Sequence, residues 1–441
     1  MGLVVRGIVW FGLYFLLVLT PLGVALLVDP IARPRGFCVE LGAACGFIAF
    51  SLLVLECSLV SRLRAASAPF GTDVLMQVHR LMGLAALGFV VAHPLLLLGP
   101  GRTLAALNPV PTTPFGRAGT IAVWAVVVIV LTSVGRRRMA LSYEAWQRIH
   151  GVGALVVVVG SLVHARDLGT YARSPVVAAL LVGYGGLFAA LMLRYRVARP
   201  LLLWRQPWRV VQNRDDGAST RTLVLAPPPG AGFAFDPGQF VWLDTGRTPF
   251  GVQQHPITIA SSAARAPDEP LELSIKALGD WSSRVVPTLE PGVRVWVDGP
   301  YGAFTPEREP GQGFVLIAGG IGITPMRSIL LTMRDRGDRR VVVLFYAARS
   351  RARVVYRAEL EALRRALALE VVYVLEEPDP GWRGERGLVT ADVLRRHLPA
   401  HFERFQYFAC GPPPMLDAIE ELLPGLGVPA ARIHTERFDV V

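Results

Sequence analysis

Six long runs of apolar residues occupy the first 200 positions of this 441-residue chain. They lie near residues 7–28, 37–60, 75–98, 119–135, 145–164 and 174–195. An α-helix needs about 20 apolar residues to cross a bilayer core that is about 30 Å thick. Each run is therefore predicted to be a membrane-spanning helix. The first run is longer than the apolar region of a signal peptide and is read as a span as well.

The positive charge of the chain lies in the same half. The first 200 residues hold 17 arginines against 6 acidic residues, whereas the remainder holds 28 basic and 28 acidic residues, so the net charge of +11 belongs to the apolar half. This balance suits membrane lipid headgroups and argues against nucleic acid as a partner. Arginines are concentrated after spans two, four and six. The positive-inside rule therefore predicts a multi-pass cell-membrane protein with both termini and the C-terminal half in the cytoplasm.

The apolar half contains four histidines, His79 and His93 on span three and His150 and His164 on span five. Each pair is separated by 14 residues. On an α-helix, 14 residues advance about 21 Å and turn to within about 40° of the starting direction. Each span thus presents two imidazoles on one face, near opposite sides of the bilayer. Because the predicted orientation makes spans three and five parallel, His79 is expected beside His150, and His93 beside His164.

Two bis-histidine sites stacked across a membrane are a suitable geometry for two b-type haems. The His79–His150 site would lie at the inner level and the His93–His164 site at the outer level. Bis-histidine ligation leaves no open position on the iron. Histidines inside membranes also pack, form hydrogen bonds or line proton paths. Two equal spacings on two parallel spans favour haem binding over these alternatives.

The second half of the chain has the pattern of a soluble protein. Residues 201–308 alternate apolar and polar positions between Gly and Pro breaks, which predicts a small antiparallel β-barrel. Residues 309–441 read as strand–loop–helix units, which predict a parallel α/β sheet. With residues 1–200 as the membrane domain, the chain is expected to contain three domains.

Two motifs in this half are candidates for cofactor binding. In the barrel region, one predicted strand ends in a segment rich in imidazole and hydroxyl donors. This segment contains His255, Pro256, Ile257, Thr258, Ser261 and Ser262. In the α/β region, a glycine-rich turn follows a buried strand and opens a helix; it contains Gly319, Gly320, Gly322, Thr324 and Pro325. Such glycines let a pyrophosphate approach the backbone N–H groups of a helix N-terminus. The spacing is not G-x-G-x-x-G, and helix–strand packing alone is an alternative explanation.

These motifs belong to a longer ordered series. HPITIASS, IKALGDWS, DGPYG, GGIGITP, ACGPPPM and a C-terminal ERF occur in the order found in the NADPH oxidase and ferric reductase superfamily, which the chain resembles over nearly its whole length. The resemblance implies a six-span all-α transmembrane di-haem domain fused to a ferredoxin-reductase-like module. That module comprises an antiparallel β-barrel for FAD and a Rossmann-like α/β domain for NAD(P)H. The implied cofactors are FAD and two b haems, with NADPH or NADH as the electron donor.

The resemblance also implies roles for individual residues. Thr258 would lie near the flavin ring and His255 near the flavin phosphates, while Ile257 replaces the Phe or Tyr that the family usually has. Lys276, Gly279, Asp280 and Ser282 match a second flavin-phosphate segment, and Gly320, Gly322 and Thr324 match the nucleotide pyrophosphate loop. Cys410, Gly411 and Pro412 match the segment beside the nicotinamide, and Phe438 matches the aromatic residue that covers the flavin. Thr258, Cys410 and Phe438 are therefore the catalytic candidates; for Cys410, a small buried residue at a strand end is the alternative.

The implied activity is electron transfer from cytoplasmic NAD(P)H to an external acceptor. FAD is needed because a hydride carries two electrons and a haem accepts one. Dioxygen, giving superoxide, is the leading acceptor; ferric iron, another external oxidant or a periplasmic partner protein are alternatives. The animal oxidases have a second histidine one turn after the outer ligand on span three. This chain has Leu97 there, which weakens the oxidase interpretation.

The choice of nucleotide is predicted from the end of the second strand of the α/β domain. No acidic residue follows this strand in the segment YAARSRAR, which contains Arg349, Ser350, Arg351 and Arg353. An acid at this position would bind the ribose hydroxyl of NAD, whereas an arginine would bind the 2′-phosphate of NADP. The segment therefore predicts a preference for NADPH, carried by Arg349 with Ser350 as second donor. Arg351 and Arg353 are equally compatible with solvent exposure.

Overall fold

The computed structural model describes residues 3–28, 36–62, 71–108, 110, 114–168, 171–251, 253–265, 267, 269–309 and 311–437. The chain divides into two compact units. The first consists of Met1–Phe70 and Val74–Pro200, and the second of Gly71–Asp73 and Leu201–Val441.

The first unit is built from helices. They are α1 (Leu3–Val28), α2 (Phe37–Val60), α3 (Thr72–Leu98), the short α4 (Pro100–Ala106), α5 (Pro114–Val134), α6 (Tyr143–Leu168) and α7 (Pro175–Leu193). A π-helical turn (Arg194–Ala198) joins α7 to α8 (Arg199–Arg205). Six helical segments in the described residues are long and apolar enough to cross a membrane. The six predicted apolar helices are thereby confirmed, with small differences at their ends.

Helices α5 and α6 approach each other closely because glycines face the neighbouring helix. Glycine has no Cβ atom, and there is little room for one here. A Cβ atom added to Gly153 would lie 2.8 Å from Cγ1 of Ile129, and one added to Gly160 would lie 3.0 Å from the carbonyl oxygen of Ala118. Small residues at membrane-helix interfaces permit this backbone approach. The contact fixes α6, which carries two of the four histidines.

The second unit begins with an antiparallel barrel. Its strands are β1 (Trp208–Asp215), β2 (Thr220–Ala226), β3 (Phe240–Asp244), β4 (Gln254–Thr258), β5 (Leu271–Lys276) and β6 (Arg294–Tyr301). The strand order is β4-β3-β6-β1-β2-β5, and a bridge between Ile259 and Leu273 joins the two ends. Side chains such as Leu223 and Leu243 fill the interior and are fully buried. The alternating pattern therefore gives the predicted barrel.

A parallel sheet follows in the order β10-β9-β8-β7-β11-β12. Its elements are β7 (Gly313–Gly319), α9 (Ile323–Arg336), β8 (Val341–Ala348), α10 (Arg357–Ala366), β9 (Leu369–Leu375), β10 (Glu385–Arg386), α11 (Ala391–His397), β11 (Gln406–Cys410), α12 (Pro413–Gly425) and β12 (Ile433–Glu436). Strand β7 is central and buried along its whole length. Because the strand order reverses between β7 and β11, the carboxyl ends of these two strands form the crevice where such sheets bind ligands.

The barrel and the sheet are linked by the buried guanidinium of Arg327 on α9. Its Nη1 atom lies 2.8 Å from Oε2 of Glu272 on β5, and its Nε atom lies 2.6 Å from Oε2 of Glu359 on α10. Its Nη1 atom also donates to the carbonyl oxygen of Ala260, at 2.9 Å. Burial alone lowers the pKa of Arg327, but the two carboxylates outweigh it and hold that pKa above its ordinary value. The charge is thus retained and paired.

Candidate functional site

His93 on α3 and His164 on α6 face each other, with ring centroids 6.0 Å apart. The Nδ1 atom of His93 lies 2.8 Å from the carbonyl oxygen of Gly42 on α2. A Cβ atom on Gly46 would lie 2.7 Å from Nδ1 of His93, and one on Gly119 would lie 2.5 Å from Nδ1 of His164. Both Nδ1 edges therefore rest against glycine backbone, and in His93 the Nε2 atom is left for a ligand.

A cavity of about 510 Å³ surrounds this pair. Its lining includes both imidazoles, Tyr171 and Thr103, and is otherwise mainly apolar. The hydroxyl of Tyr171 donates to Oε2 of Glu40 at 2.6 Å. Small-molecule and cofactor sites typically have about this volume and are mostly apolar with a few polar groups. The cavity is therefore suited to a large apolar cofactor held by the two histidines.

The second pair, His79 and His150, also has ring centroids 6.0 Å apart. The Nδ1 atom of His79 contacts Oε2 of Glu56, a carboxylate on α2. Tyr14 on α1 donates to the other oxygen of Glu56 at 3.2 Å. On the opposite ring, Nδ1 of His150 lies 3.4 Å from Oγ of Ser133. No motif in the sequence marks Glu56 or Tyr14 as part of this site.

Both ring separations fit a metal bound between the imidazoles. Metal–imidazole bonds of about 2 Å on either side would hold the ring centroids about 6 Å apart. Nδ1 of His93 lies at hydrogen-bond distance from the carbonyl oxygen of Gly42, and Nδ1 of His79 contacts Glu56, so Nε2 is the atom of each ring that would ligate a metal. The residues present therefore fit two bis-histidine haem sites.

Arg196 lies beside the His79–His150 level. It belongs to the π-helical turn after α7, and a Cβ atom on Gly151 would lie 3.3 Å from its Nη2 atom. Arg62 and Arg196 both place their guanidinium groups over the ring of Tyr195, at 5.2 Å and 5.4 Å from its centroid. The guanidinium groups of Arg62 and Arg196 therefore lie close together, and their positive charge would stabilise an acidic group of a cofactor bound nearby. The sequence indicated Arg196 only as part of the charge that follows span six.

In the second unit, Thr258 is buried at the end of β4. Within the described residues its hydroxyl has no hydrogen-bond partner. A buried hydroxyl without a partner is costly, so a bound group that pairs with it would be favoured. The preceding residues His255, Pro256 and Ile257 pair with β3. The orphaned hydroxyl therefore fits contact with a bound flavin.

His255 is held by an aromatic side chain that the sequence analysis did not single out. Its ring stacks on Trp281 at a centroid distance of 3.8 Å, and Nε1 of Trp281 donates to Oγ1 of Thr245 at 2.9 Å. By contrast, Ser261 and Ser262 accept hydrogen bonds from backbone N–H groups, those of Glu272 and Ala264. In this structure the two serines support the loop.

The second predicted flavin-phosphate segment forms a turn. Oγ of Ser282 accepts from the backbone N–H groups of Leu278 and Gly279, both at 2.9 Å. Asp280 is highly exposed and lies 3.6 Å from Arg284. The side chain of Lys276 extends toward Gly320 and not toward this turn. A Cβ atom added to Gly320 would lie 3.5 Å from Nζ of Lys276. The ammonium group therefore borders the glycine turn of the α/β domain.

The glycine turn lies at the crevice between β7 and β11. A Cβ atom on Gly322 would lie 2.1 Å from the carbonyl oxygen of Cys410, and one on Gly319 would lie 2.7 Å from Cδ of Pro412. A Cβ atom on Gly411 would lie 3.1 Å from Cα of Gly319. Only glycine permits this approach of the two loops. Thr324 and Pro325 are buried in the first turn of α9, where the Thr324 hydroxyl donates to the carbonyl oxygen of Ile321.

Cys410 is fully buried at the end of β11. It pairs in register with Glu436 on β12. Burial, and secondly the charge of Glu436, raise the pKa of the Cys410 thiol well above its ordinary value. Cys410 is therefore a neutral thiol and not a thiolate nucleophile. Glu436 was missed because only the pairing of β11 with β12 brings it to this crevice.

Arg349 and Ser350 follow β8 as predicted. The Nη2 atom of Arg349 lies 2.9 Å from Oε1 of Glu377, which follows β9. Ser350 precedes a short 3₁₀ turn, Arg351–Arg353. No acidic residue follows β8 in the sequence, but Glu377, which follows the neighbouring strand β9, brings a carboxylate to Arg349. Phe438 lies outside the described residues.

Three family profiles match the chain. A ferric reductase like transmembrane component matches residues 45–161, an FAD-binding domain matches 222–305, and an oxidoreductase NAD-binding domain matches 316–421.

Individual relatives match about half of the chain. Ferredoxin--NADP reductase B of Sorangium cellulosum is 33% identical over 243 residues, which is 52% of this chain and 96% of that protein. The stachydrine N-demethylase reductase subunit Stc4 of Rhizobium meliloti is 33% identical over 53% of this chain, and the match spans 66% of its own length. A flavohemoglobin crystal structure from Malassezia yamatoensis has a TM-score of 0.50 at 19% identity over 91% of this chain and 99% of that one. At this identity the likeness concerns the fold alone.

About half of the chain is thus similar to a ferredoxin--NADP reductase, and residues 45–161 are similar to a ferric reductase like transmembrane component. The chain has the domain architecture of the NADPH oxidase and ferric reductase superfamily, a ferric reductase like transmembrane component followed by an FAD-binding and an NAD-binding domain.

Proposed function

We propose that this protein is a transmembrane oxidoreductase that moves electrons from cytoplasmic NAD(P)H to an acceptor on the other side of the membrane. The observation that carries the proposal is the pair of facing imidazoles found twice along α3 and α6, each with ring centroids 6.0 Å apart. Because 14 residues separate the two levels on each helix, the sites lie about 21 Å apart along the helix axis. Two redox sites so placed span most of a bilayer core.

His79 and His150 would hold one b haem and His93 and His164 the other. When bound, FAD takes hydride from the nicotinamide and passes electrons on singly, and the haems carry single electrons across the membrane. The chain's part is to hold the imidazoles of His93 and His79 through contacts at Nδ1, to shape the apolar cavity and to place cations such as Arg196 nearby.

The second unit would position the hydride donor against the flavin. Thr258 presents a buried hydroxyl for the flavin, and the glycine turn lets the nucleotide pyrophosphate approach the N-terminus of α9. Cys410 closes the crevice as a neutral, buried group beside the nicotinamide. Phe438 is the proposed aromatic cover of the flavin.

The sidedness follows from charge. Arginines are concentrated in the loops after α2 and α5 and after α7, and such loops remain in the cytoplasm. By this rule the second unit would lie in the cytoplasm, the His79–His150 level on the inner side and the His93–His164 level on the outer side.

For the acceptor we propose dioxygen, which one-electron reduction converts to superoxide. Bis-histidine sites leave no open iron position, so the electron would pass without dioxygen binding to the metal. Leu97, where the animal oxidases have a histidine, favours ferric iron as the second candidate. Delivery to a periplasmic partner protein is the third.

Purified full-length protein in detergent tests the proposal. Haem content is measured first, and NADPH is then added without oxygen. Two haems per chain that become reduced are expected, followed by superoxide formation when air is admitted. Reduction of chelated ferric iron without superoxide would move the assignment to the ferric reductase activity. If the parent protein contains one haem or none after adequate haem supply, the di-haem route is wrong.

A further inference from the structure

Helix α9 is joined along one face to residues 260–265, the segment that follows β4. The hydroxyl of Ser328 donates to the carbonyl oxygen of Ser261 at 2.8 Å, and the hydroxyl of Thr332 accepts from the backbone N–H of Ala263 at 2.9 Å. Residues four apart lie on the same face of a helix. The segment therefore follows the length of α9 and does not meet it at one point only.

The contact continues at both ends. Near the start of α9, Nη1 of Arg327 donates to the carbonyl oxygen of Ala260 at 2.9 Å. Near its end, Oδ2 of Asp335 lies 2.8 Å from Nε of Arg265, and the side chain of Ser262 also forms a hydrogen bond with Asp335. We call the contacts of four side chains with residues 260–265 the α9 seam; the four are Arg327, Ser328, Thr332 and Asp335.

The centre of the α9 seam is buried, and its hydroxyls are fully used. Ser328 is 0% and Thr332 2% exposed. The Thr332 hydroxyl accepts from Ala263 and at the same time donates to the carbonyl oxygen of Ser328, at 2.7 Å. A buried polar network whose members are all satisfied rigidifies the parts that it joins. Because hydrogen bonds are directional, the seam fixes the register of α9 against the segment.

The two sides of the α9 seam lead to the two proposed cofactor contacts. Helix α9 begins at Ile323, directly after the glycine turn, and Arg327 follows four residues later, about 6 Å along the helix axis. On the other side, Ala260 is two residues beyond Thr258, whose buried hydroxyl fits contact with a flavin. The seam therefore connects the nucleotide turn to the flavin contact by a short path.

Hydride transfer depends on the distance between these two contacts. In this reaction the C–H bond at C4 of the dihydronicotinamide breaks, and the hydrogen moves with both electrons to N5 of the flavin. The nucleotide is thereby oxidised and the flavin reduced. A displacement of about 1 Å can lower such a rate about 100-fold. A slip of one residue along α9 is already about 1.5 Å.

We propose that Ser328 and Thr332 are positioning residues that hold α9 in register with Thr258 and so set the distance between nicotinamide and flavin. The inference rests on the proposed function, because it requires FAD and NAD(P)H to bind in the second unit. Both residues act through the backbone of residues 260–265 and are not expected to touch either cofactor.

Full-length protein with the substitution Thr332→Val tests this. Valine keeps the branched shape but removes the hydroxyl, so the N–H of Ala263 loses its acceptor. Four quantities are measured without oxygen: FAD content, the Kd for NADP⁺, the rate constant of flavin reduction by NADPH in a single turnover, and the charge-transfer absorbance of the nicotinamide–flavin complex at wavelengths beyond the haem bands. The last reports how the two rings stack.

We expect the rate constant per bound FAD to fall at least about tenfold in Thr332→Val, because the rings are displaced. The charge-transfer absorbance should weaken with it. FAD content and the Kd for NADP⁺ should remain as in the parent protein, since neither binding contact is altered. Thr332→Ser retains the hydroxyl and should restore both the rate constant and the absorbance.

Two further variants complete the test. Ser328→Ala removes the donor to Ser261 and should also slow flavin reduction. Thr390→Val is the matched control, because Thr390 also accepts from a backbone N–H, that of Val393 at 3.3 Å, but caps α11 and takes no part in the α9 seam. It should lower the temperature of FAD release without changing the rate constant per bound FAD.

The inference is overturned if Thr332→Val retains FAD and reduces it at the parent rate, or if Thr332→Ser is as slow as Thr332→Val. It is also overturned if Thr390→Val is equally slow. If Thr332→Val does not retain FAD, Ser328→Ala decides; loss of FAD there too, or an unchanged rate constant, overturns it. Parent protein that binds no FAD, or whose FAD is not reduced by NADPH, defeats the proposed function itself, which distinguishes the two failures.

Discussion

The guanidinium of Arg349 and the carboxylate of Glu377 form an ion pair across the carboxyl ends of β8 and β9, with Nη2 2.9 Å from Oε1. Both side chains are exposed, at 71% and 62%. An exposed ion pair contributes little to stability. A phosphate group at Arg349 would therefore meet a carboxylate that is held weakly and can be displaced.

Arg349→Ala should raise the KM for NADPH about tenfold, or about 1.4 kcal/mol. The KM for NADH should change little, because the charge-assisted contact is to the 2′-phosphate. Steady-state kinetics with both nucleotides measure this, and Arg351→Ala is the control from the same loop. An equal loss with both nucleotides would show that Arg349 supports the loop and does not bind the phosphate.

Glu377→Gln should have the opposite effect. Without the carboxylate, Arg349 is freely available and the repulsion of the phosphate is removed. We expect the KM for NADPH to fall about threefold, a change of about 0.6 kcal/mol, while the KM for NADH stays the same. A KM for NADPH that does not fall would mean that Glu377 does not compete for Arg349.

Thr258→Ala should weaken FAD retention or slow flavin reduction. A lost hydrogen bond costs about 1 kcal/mol, and up to about 3 kcal/mol if its buried partner is left unsatisfied. FAD content after gel filtration and stopped-flow reduction by NADPH are the measurements. Thr258→Ser retains the hydroxyl and should behave like the parent. Unchanged FAD content and reduction rate in the alanine variant would remove Thr258 from the site.

His93→Ala should remove the outer haem alone, because His93 and His164 form a site separate from that of His79 and His150. Flavin reduction should persist while electron delivery to the external acceptor stops. A pyridine haemochrome assay should give one haem per chain. His401→Ala, an exposed histidine in the second unit, is the control. Loss of both haems together would contradict the independence of the two sites.

His434 should make the second unit sensitive to acid. It stacks on Phe408, and burial lowers its pKa from 6.5 to about 4. The unfolded chain binds a proton near pH 6.5, whereas the folded chain does so only near pH 4, so stability is full above pH 6.5 and falls as the pH drops through this window. Between pH 6.5 and 5 the loss should be about 2 kcal/mol.

The temperature of FAD release, followed by flavin fluorescence, measures this effect. His434→Gln should flatten the pH profile, whereas His401→Gln should leave it unchanged. A profile in His434→Gln that matches the parent would assign the acid sensitivity to other groups.

The periodicities in the sequence were sufficient to predict the spans, the barrel and the parallel sheet, because each follows from a local pattern. The spacing of the four histidines likewise predicted which imidazoles face each other. Local patterns could not predict which side chains from distant elements contact these residues. Glu56 reaches His79 only through the packing of α2 on α3, and Glu377 reaches Arg349 only because β9 pairs with β8. No local signal distinguishes these acids from solvated ones.

Lys276 is the single lysine among 441 residues, and its ammonium group borders Gly320 in the glycine turn. An amine-reactive reagent has therefore one side chain to modify in the whole chain, at the edge of the nucleotide crevice. We expect the rate of its labelling to fall when that crevice is filled. The protein thus carries its own site-specific reporter, and nucleotide occupancy can be read by mass spectrometry without any engineered residue.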